Sequence, residues 1–65
     1  MSEHIERMKV EHRELKEKID SLNAFIYGND LFKTLCPIEQ ARMIKQGCFM
    51  ECYLTMLHSR IWVAS

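Results

Sequence analysis

Residues 22–39, LNAFIYGNDLFKTLCPIE, decide the fold, because they interrupt a chain that is otherwise patterned as helix. Gly28-Asn29-Asp30 stops a first helix: Gly tolerates the left-handed conformation at a helix C-terminus, and Asn or Asp can cap the turn that follows. Cys36-Pro37-Ile38-Glu39 opens another, with Pro at the first helical position, where its missing N–H costs nothing, and Glu39 in the capping-box position. Cys36 stands where Ser or Thr would normally cap, so this cap is weak. Between stop and start, residues 30–35 form one short helical turn, with Leu31, Phe32 and Leu35 folding its apolar side back on its neighbours.

Upstream of this break, Ile5, Met8, His12, Leu15, Ile19, Leu22 and Ile26 recur at alternating spacings of three and four, the signature of a helix with a narrow apolar seam. It runs from about Ser2, a plausible N-cap, to Phe25 or Ile26. Its flanks carry Glu3/Arg7 and Glu14/Lys18, pairs worth about 0.2–0.5 kcal/mol each on a solvated helix. Downstream, Met43, Gly47, Met50, Leu54, Leu57 and Ile61 form a heptad seam in a helix over 37–62. Gly47 costs about 1 kcal/mol relative to Ala, which suggests close approach of another backbone. The sum is an all-α, antiparallel helical hairpin with a short intervening helical turn. Cys48, Phe49, Tyr53, Met56 and Trp62 lie outside the seam, more apolar surface than one partner helix covers, so subunit contacts are expected.

Composition sets the same frame. The chain has 65 residues, enough for a single domain (1–65) but too few for a monomer with a comfortable core, and disulfides, a metal or partner subunits are the usual remedies. Cys36, Cys48 and Cys52 are odd in number and no apolar leader follows Met1, which argues against a secreted disulfide scaffold and for the cytosol. No apolar run approaches the ~20 residues that span a bilayer. Nine basic residues balance nine acidic ones, so no overall field favours long nucleic acid or an anionic membrane. There is no Gly-rich phosphate loop and no nucleophile elbow. The expectation is a binder, with no enzyme activity and no cofactor. Cys48 and Cys52, one turn apart, could start a zinc site with His58 or Cys36, but buried thiols acting as small hydrophobes account for them better. His4 and His12 lack the Glu-x-x-His pairing of bundle di-metal sites.

Four positions carry more information. His12 occupies a seam whose other members are apolar; it is either a half-exposed flank histidine or part of a ligand platform. Lys9, Arg13 and Lys16 share a face, most simply a solvated one. Arg60 is either a cation favoured by the helix C-terminus or a forked phosphate donor at a subunit junction. Tyr53, seven residues earlier, packs or stacks on a base.

Taken together, Leu22-Asn-Ala-Phe25-Ile26, Phe32-x-x-Leu35, Glu39-Gln40 and Gln46-x-x-x-Met50-x-x-Tyr53-x-x-x-Leu57-x-x-Arg60-Ile61 resemble the phage anti-CBASS cyclic-nucleotide sponge family, from about Glu6 to Ile61. The resemblance implies a compact hexamer of interlocked hairpins in the cytoplasm of an infected bacterial host. Such a protein sequesters the cyclic oligonucleotides of CBASS immunity, of the cyclic GMP-AMP or cyclic tri-adenylate kind, and releases them unchanged. It implies a dinucleotide site between the N-terminal helices of paired protomers. There His12 and Arg13 fall on the family's aromatic-plus-polar pair, His replacing Tyr, with Lys16 beside them. Tyr27 lies where the family has a basic residue. For a separate trinucleotide site at a three-fold junction, the resemblance places Arg60 on the family's C-terminal-helix arginine, with Tyr53 on the same face.

Such a role is physically reasonable. A cyclic dinucleotide has approximate two-fold symmetry, so two copies of His12, Arg13 and Lys16 across an isologous interface meet both halves alike. Each base gains about 1–3 kcal/mol by stacking on an aromatic ring, and the phosphates gain charge-assisted hydrogen bonds. The competing reading is an oligomeric coiled-coil adaptor whose seam binds a partner helix. A zinc-stabilised mini-domain ranks last.

Overall fold

A computed structural model describes residues 3–65 and contains three helices: α1 (Glu3–Gly28), α2 (Leu31–Thr34) and α3 (Pro37–Ala64). The proposed N-cap Ser2 lies outside the described residues. The two long helices run antiparallel as a rod 48 × 15 × 12 Å in extent, with α2 at the closed end.

The first helix outruns the sequence expectation by two residues, and Gly28 is not its left-handed stop: Gly28 is the last helical residue and no glycine has positive φ. The termination comes from the next side chain instead. Asn29 Oδ1 accepts the Leu31 N–H at 2.8 Å and Asn29 O accepts the Phe32 N–H at 3.1 Å, so the carboxamide holds the turn that breaks the ladder. Asp30 is the N-cap of α2 but makes no capping hydrogen bond. At the second corner Cys36 caps α3 without a side-chain bond, as a thiol in that position should. Gln40 compensates: its Nε2 donates to Leu35 O at 2.8 Å and to Lys33 O at 3.4 Å, tying the carbonyl end of α2 to the first turn of α3.

The seams meet as their spacing requires. From α1, Met8, Ile19 and Ile26 are buried and Ile5, His12, Leu15 and Leu22 half-buried; from α3, Gly47 and Leu57 are buried and Met43, Met50, Leu54 and Ile61 half-buried. Leu57 is completely enclosed, at 0% exposure. At the closed end Phe32 is buried, its ring edge-on to Phe25 with centroids 6.1 Å apart, whereas Leu31 faces solvent. Ion pairs contribute little to the pairing of helices. Those that form among the described residues are Glu6–Lys9, Lys16–Asp20 and Glu39–Arg42, each within one exposed helix face. Glu3/Arg7 and Glu14/Lys18 do not close.

One stripe per helix is all that the hairpin covers. Phe49, Trp62 and Val63 are 69%, 77% and 79% exposed. Cys36, Cys48 and Cys52 are also exposed, which corrects their reading as buried hydrophobes: Cys36 sits at the corner before α3, and Cys48 and Cys52 lie on faces of α3 that α1 does not reach. A compact chain of 7.8 kDa would expose about 4,400 Å² and have a radius of gyration of about 11 Å. The hairpin exposes 5184 Å² and has a radius of 14.7 Å.

Gly47 faces a side chain, not a backbone: a Cβ built there would meet Leu22 Cδ2 at 3.5 Å, ordinary van der Waals contact. Gly47→Ala therefore keeps the packing and gains helix propensity. It should stabilise the fold by about 1 kcal/mol, raising the thermal midpoint in circular dichroism by about 4–8 °C. Gly47→Leu, with no room beside Leu22, should lower it.

Candidate functional site

Two rings and a cation meet on one side of the hairpin. His12, four residues before Lys16 on α1, is half-buried. Its ring lies 6.0 Å from that of His58 on α3, centroid to centroid, with the planes inclined at 46°. His12, Lys16, Leu54, Thr55 and His58 line a shallow open groove of about 300 Å³. Helical spacing explains the grouping: residues four apart share a face, which brings Lys16 beside His12 and sets Leu54 one turn before His58. The floor is aliphatic, and its polar atoms are imidazole nitrogens, the Thr55 hydroxyl and the Lys16 ammonium. Thr55 Oγ1 donates to Glu51 O at 3.0 Å, and Lys16 Nζ lies 3.3 Å from Asp20 Oδ1. Imidazole, hydroxyl and ammonium groups over an aliphatic floor suit a planar, anionic, hydrogen-bonding ligand.

The structure does not bring all the candidate residues together. His12 and Lys16 share the groove. Arg13 is exposed, outside it, and makes no ion pair among the described residues. Tyr27 is 76% exposed and, fifteen residues from His12 at 1.5 Å per residue, sits about 22 Å along the helix. One chain therefore does not place Tyr27 and His12 on the same small ligand.

Tyr53 and Arg60 lie on the outer part of α3, two turns apart. Tyr53 forms one wall of a groove of about 460 Å³ with Arg42, Lys45, Gln46, Phe49 and Met50, almost wholly apolar with a basic rim. Arg60 borders a separate groove of about 300 Å³ with His4, Met8, Ser59, Val63 and Ala64. Tyr53 also bonds across the hairpin: its hydroxyl donates to Glu11 Oε2 on α1. This hydrogen bond favours the neutral phenol and raises the Tyr53 pKa above 10.0; partial desolvation and the Glu11 charge add to the shift, and Arg60 opposes it.

His58 and Glu11 escaped the sequence reading as site residues. The sequence offers His58 only as a zinc ligand, and among the described residues no group of three His, Cys, Asp or Glu side chains is placed to hold a metal ion. The signal that would have found His58 is inter-helix register: with Gly47 set against Leu22, position 12 falls within one residue of 58. Glu11 and Tyr53 are staggered along the hairpin and meet through the reach of their long side chains, which register alone does not give.

The family model whose description reads Sequestin matches residues 2–63. No curated protein and no solved structure matches the chain.

The Tyr53–Glu11 bond makes a pH prediction. The folded-state pKa of Tyr53 lies above the unfolded value of 10.0, so the bond's contribution to stability is complete below that pH and is lost as pH rises through the folded pKa. In a Tyr27→Phe variant, where Tyr53 is the remaining tyrosine, phenolate absorbance should titrate with a midpoint above 10.0. Adding Glu11→Gln should bring the midpoint back toward that value; an unmoved midpoint would show that Glu11 is not the cause.

Proposed function

Because the chain belongs to the Sequestin family, the sponge family that its motifs resemble, we propose that it binds cyclic dinucleotide or trinucleotide second messengers and sequesters them without cleaving them. The chain is then a phage immune-evasion protein acting in the cytoplasm of the infected bacterium, where it lowers the free concentration of the signal that would activate the host effector. Sequestering is the business of the family, and it needs affinity without a reacting group.

The observation that carries this reading is the groove of His12, Lys16 and His58. It offers imidazole faces for a base and a cation for phosphate on a surface too shallow to enclose a ligand. A groove of this kind is half a site. Completed by its two-fold mate, with Arg13 and Tyr27 brought in by the antiparallel helix of the second copy, it matches the symmetry of a cyclic dinucleotide. Arg60, on the other groove, is the candidate for trinucleotide phosphates at a junction of three copies, with Tyr53 two turns away on the same helix.

Assembly into a homo-oligomer, a hexamer by the family resemblance, is part of the proposal. The hairpin exposes roughly 800 Å² more than a compact chain of its mass, about the area that one partner contributes to a stable interface. Phe49, Met56, Trp62 and Val63 of α3 are among the large apolar side chains left exposed. The adaptor reading draws on the apolar groove at Phe49 and Tyr53, which a partner helix could fill. Sedimentation equilibrium tests the assembly: several 7.8 kDa chains are expected together, dissociating on Trp62→Glu or Phe49→Glu, and a monomer would overturn the two-copy site.

Titration calorimetry with a panel of cyclic di- and trinucleotides tests the activity itself, followed by chromatography of the released ligand. Tight binding with intact recovery is expected, with His12→Ala weakening dinucleotide binding and Arg60→Ala weakening trinucleotide binding, each by tenfold or more, about 1.4 kcal/mol. Absence of heat with every ligand would overturn the reading.

A further inference from the structure

We infer that His58, on α3, is a ligand-binding residue of the dinucleotide groove, so that a bound nucleotide bridges both helices of one hairpin and does not rest on α1 alone. This rests on the functional reading above and deepens it.

The ring geometry decides what the pair can do. Inserting a base between two imidazoles requires parallel planes about 7 Å apart, two van der Waals spacings of roughly 3.5 Å. The His12 and His58 rings are 6.0 Å apart at the centroids and inclined at 46°, too close and too tilted for a sandwich. A base can cover one ring, and the other then meets its edge with a ring N–H. His12 is half-buried in the seam, which suits the stacking role. His58 is exposed and carries no hydrogen bond to another side chain among the described residues, so its ring nitrogens are available to a base edge. Lys16 stands on the same side of the groove as His12, held to Asp20 by a surface contact at 3.3 Å that a phosphate can displace, because such exposed pairs are worth little.

The division of labour separates stacking from hydrogen bonding, and the variants follow from it. His58→Phe keeps a ring and removes the donor; His58→Gln keeps a donor and removes the ring. Calorimetry with the tightest-binding cyclic dinucleotide of the panel is expected to show about tenfold weaker binding for His58→Ala and His58→Phe, the upper end of what one hydrogen bond contributes, and a smaller loss for His58→Gln. Trinucleotide affinity and the thermal midpoint without ligand should stay at wild-type values in all three, which a merely structural histidine would not allow. Wild-type dinucleotide affinity in His58→Ala, alongside a loss in His12→Ala, would overturn the inference and leave the functional reading standing. Full affinity in His58→Phe would overturn the donor role. If the wild-type protein binds no cyclic dinucleotide, the functional reading falls first and this inference falls with it.

Discussion

The structure depends on a seam one residue wide. Leu57, fully enclosed, and Met8, Ile19 and Ile26 on the facing helix are its buried apolar side chains, and among the described residues no ion pair joins α1 to α3. Two helices in contact along a line can bury only one stripe each. The side chains of α3 off that stripe, including Phe49, Trp62, Cys48 and Cys52, are left facing outward. That geometry explains why a chain with 48% hydrophobic residues remains an open rod 48 Å long.

The same constraint governs the chemistry available. A two-helix hairpin cannot surround a ligand, so its polar groups meet in open furrows where the helices touch. His12 and His58 face each other in one such furrow, and Glu11 takes the Tyr53 hydroxyl in the adjoining position. Neighbouring residues of α1 thus reach opposite sides of α3. The phenol in that contact holds its proton more firmly because its partner is a carboxylate. Imidazole, ammonium and hydroxyl groups thus share an aliphatic floor on an open surface, in a chain whose family sequesters.

Much of this was legible in the residues themselves. The alternation of three and four placed Met8, Ile19, Ile26 and Leu57 on the seam correctly, and Pro37 fixed the start of α3, because backbone chemistry and periodicity are local properties. Gly28 misled, since a glycine near a helix end permits a left-handed stop without requiring one, and the Asn29 carboxamide supplied the stop a residue later. The cysteines misled for a different reason. Their type favours burial, but whether a position is buried depends on which face of α3 receives a partner.

The sequence by itself therefore determined the helices, the position of the break and the apolar stripe on each helix, because all three follow from contacts between residues a few positions apart. Only the tertiary structure decided which residues meet across the hairpin. Register is set by how Leu22 seats against Gly47 and how Leu57 fills the seam, and a shift of one turn would have placed a different residue opposite His12. The His12–His58 pair and the Glu11–Tyr53 bond are products of that seating, between residues more than forty positions apart, and no local pattern encodes them.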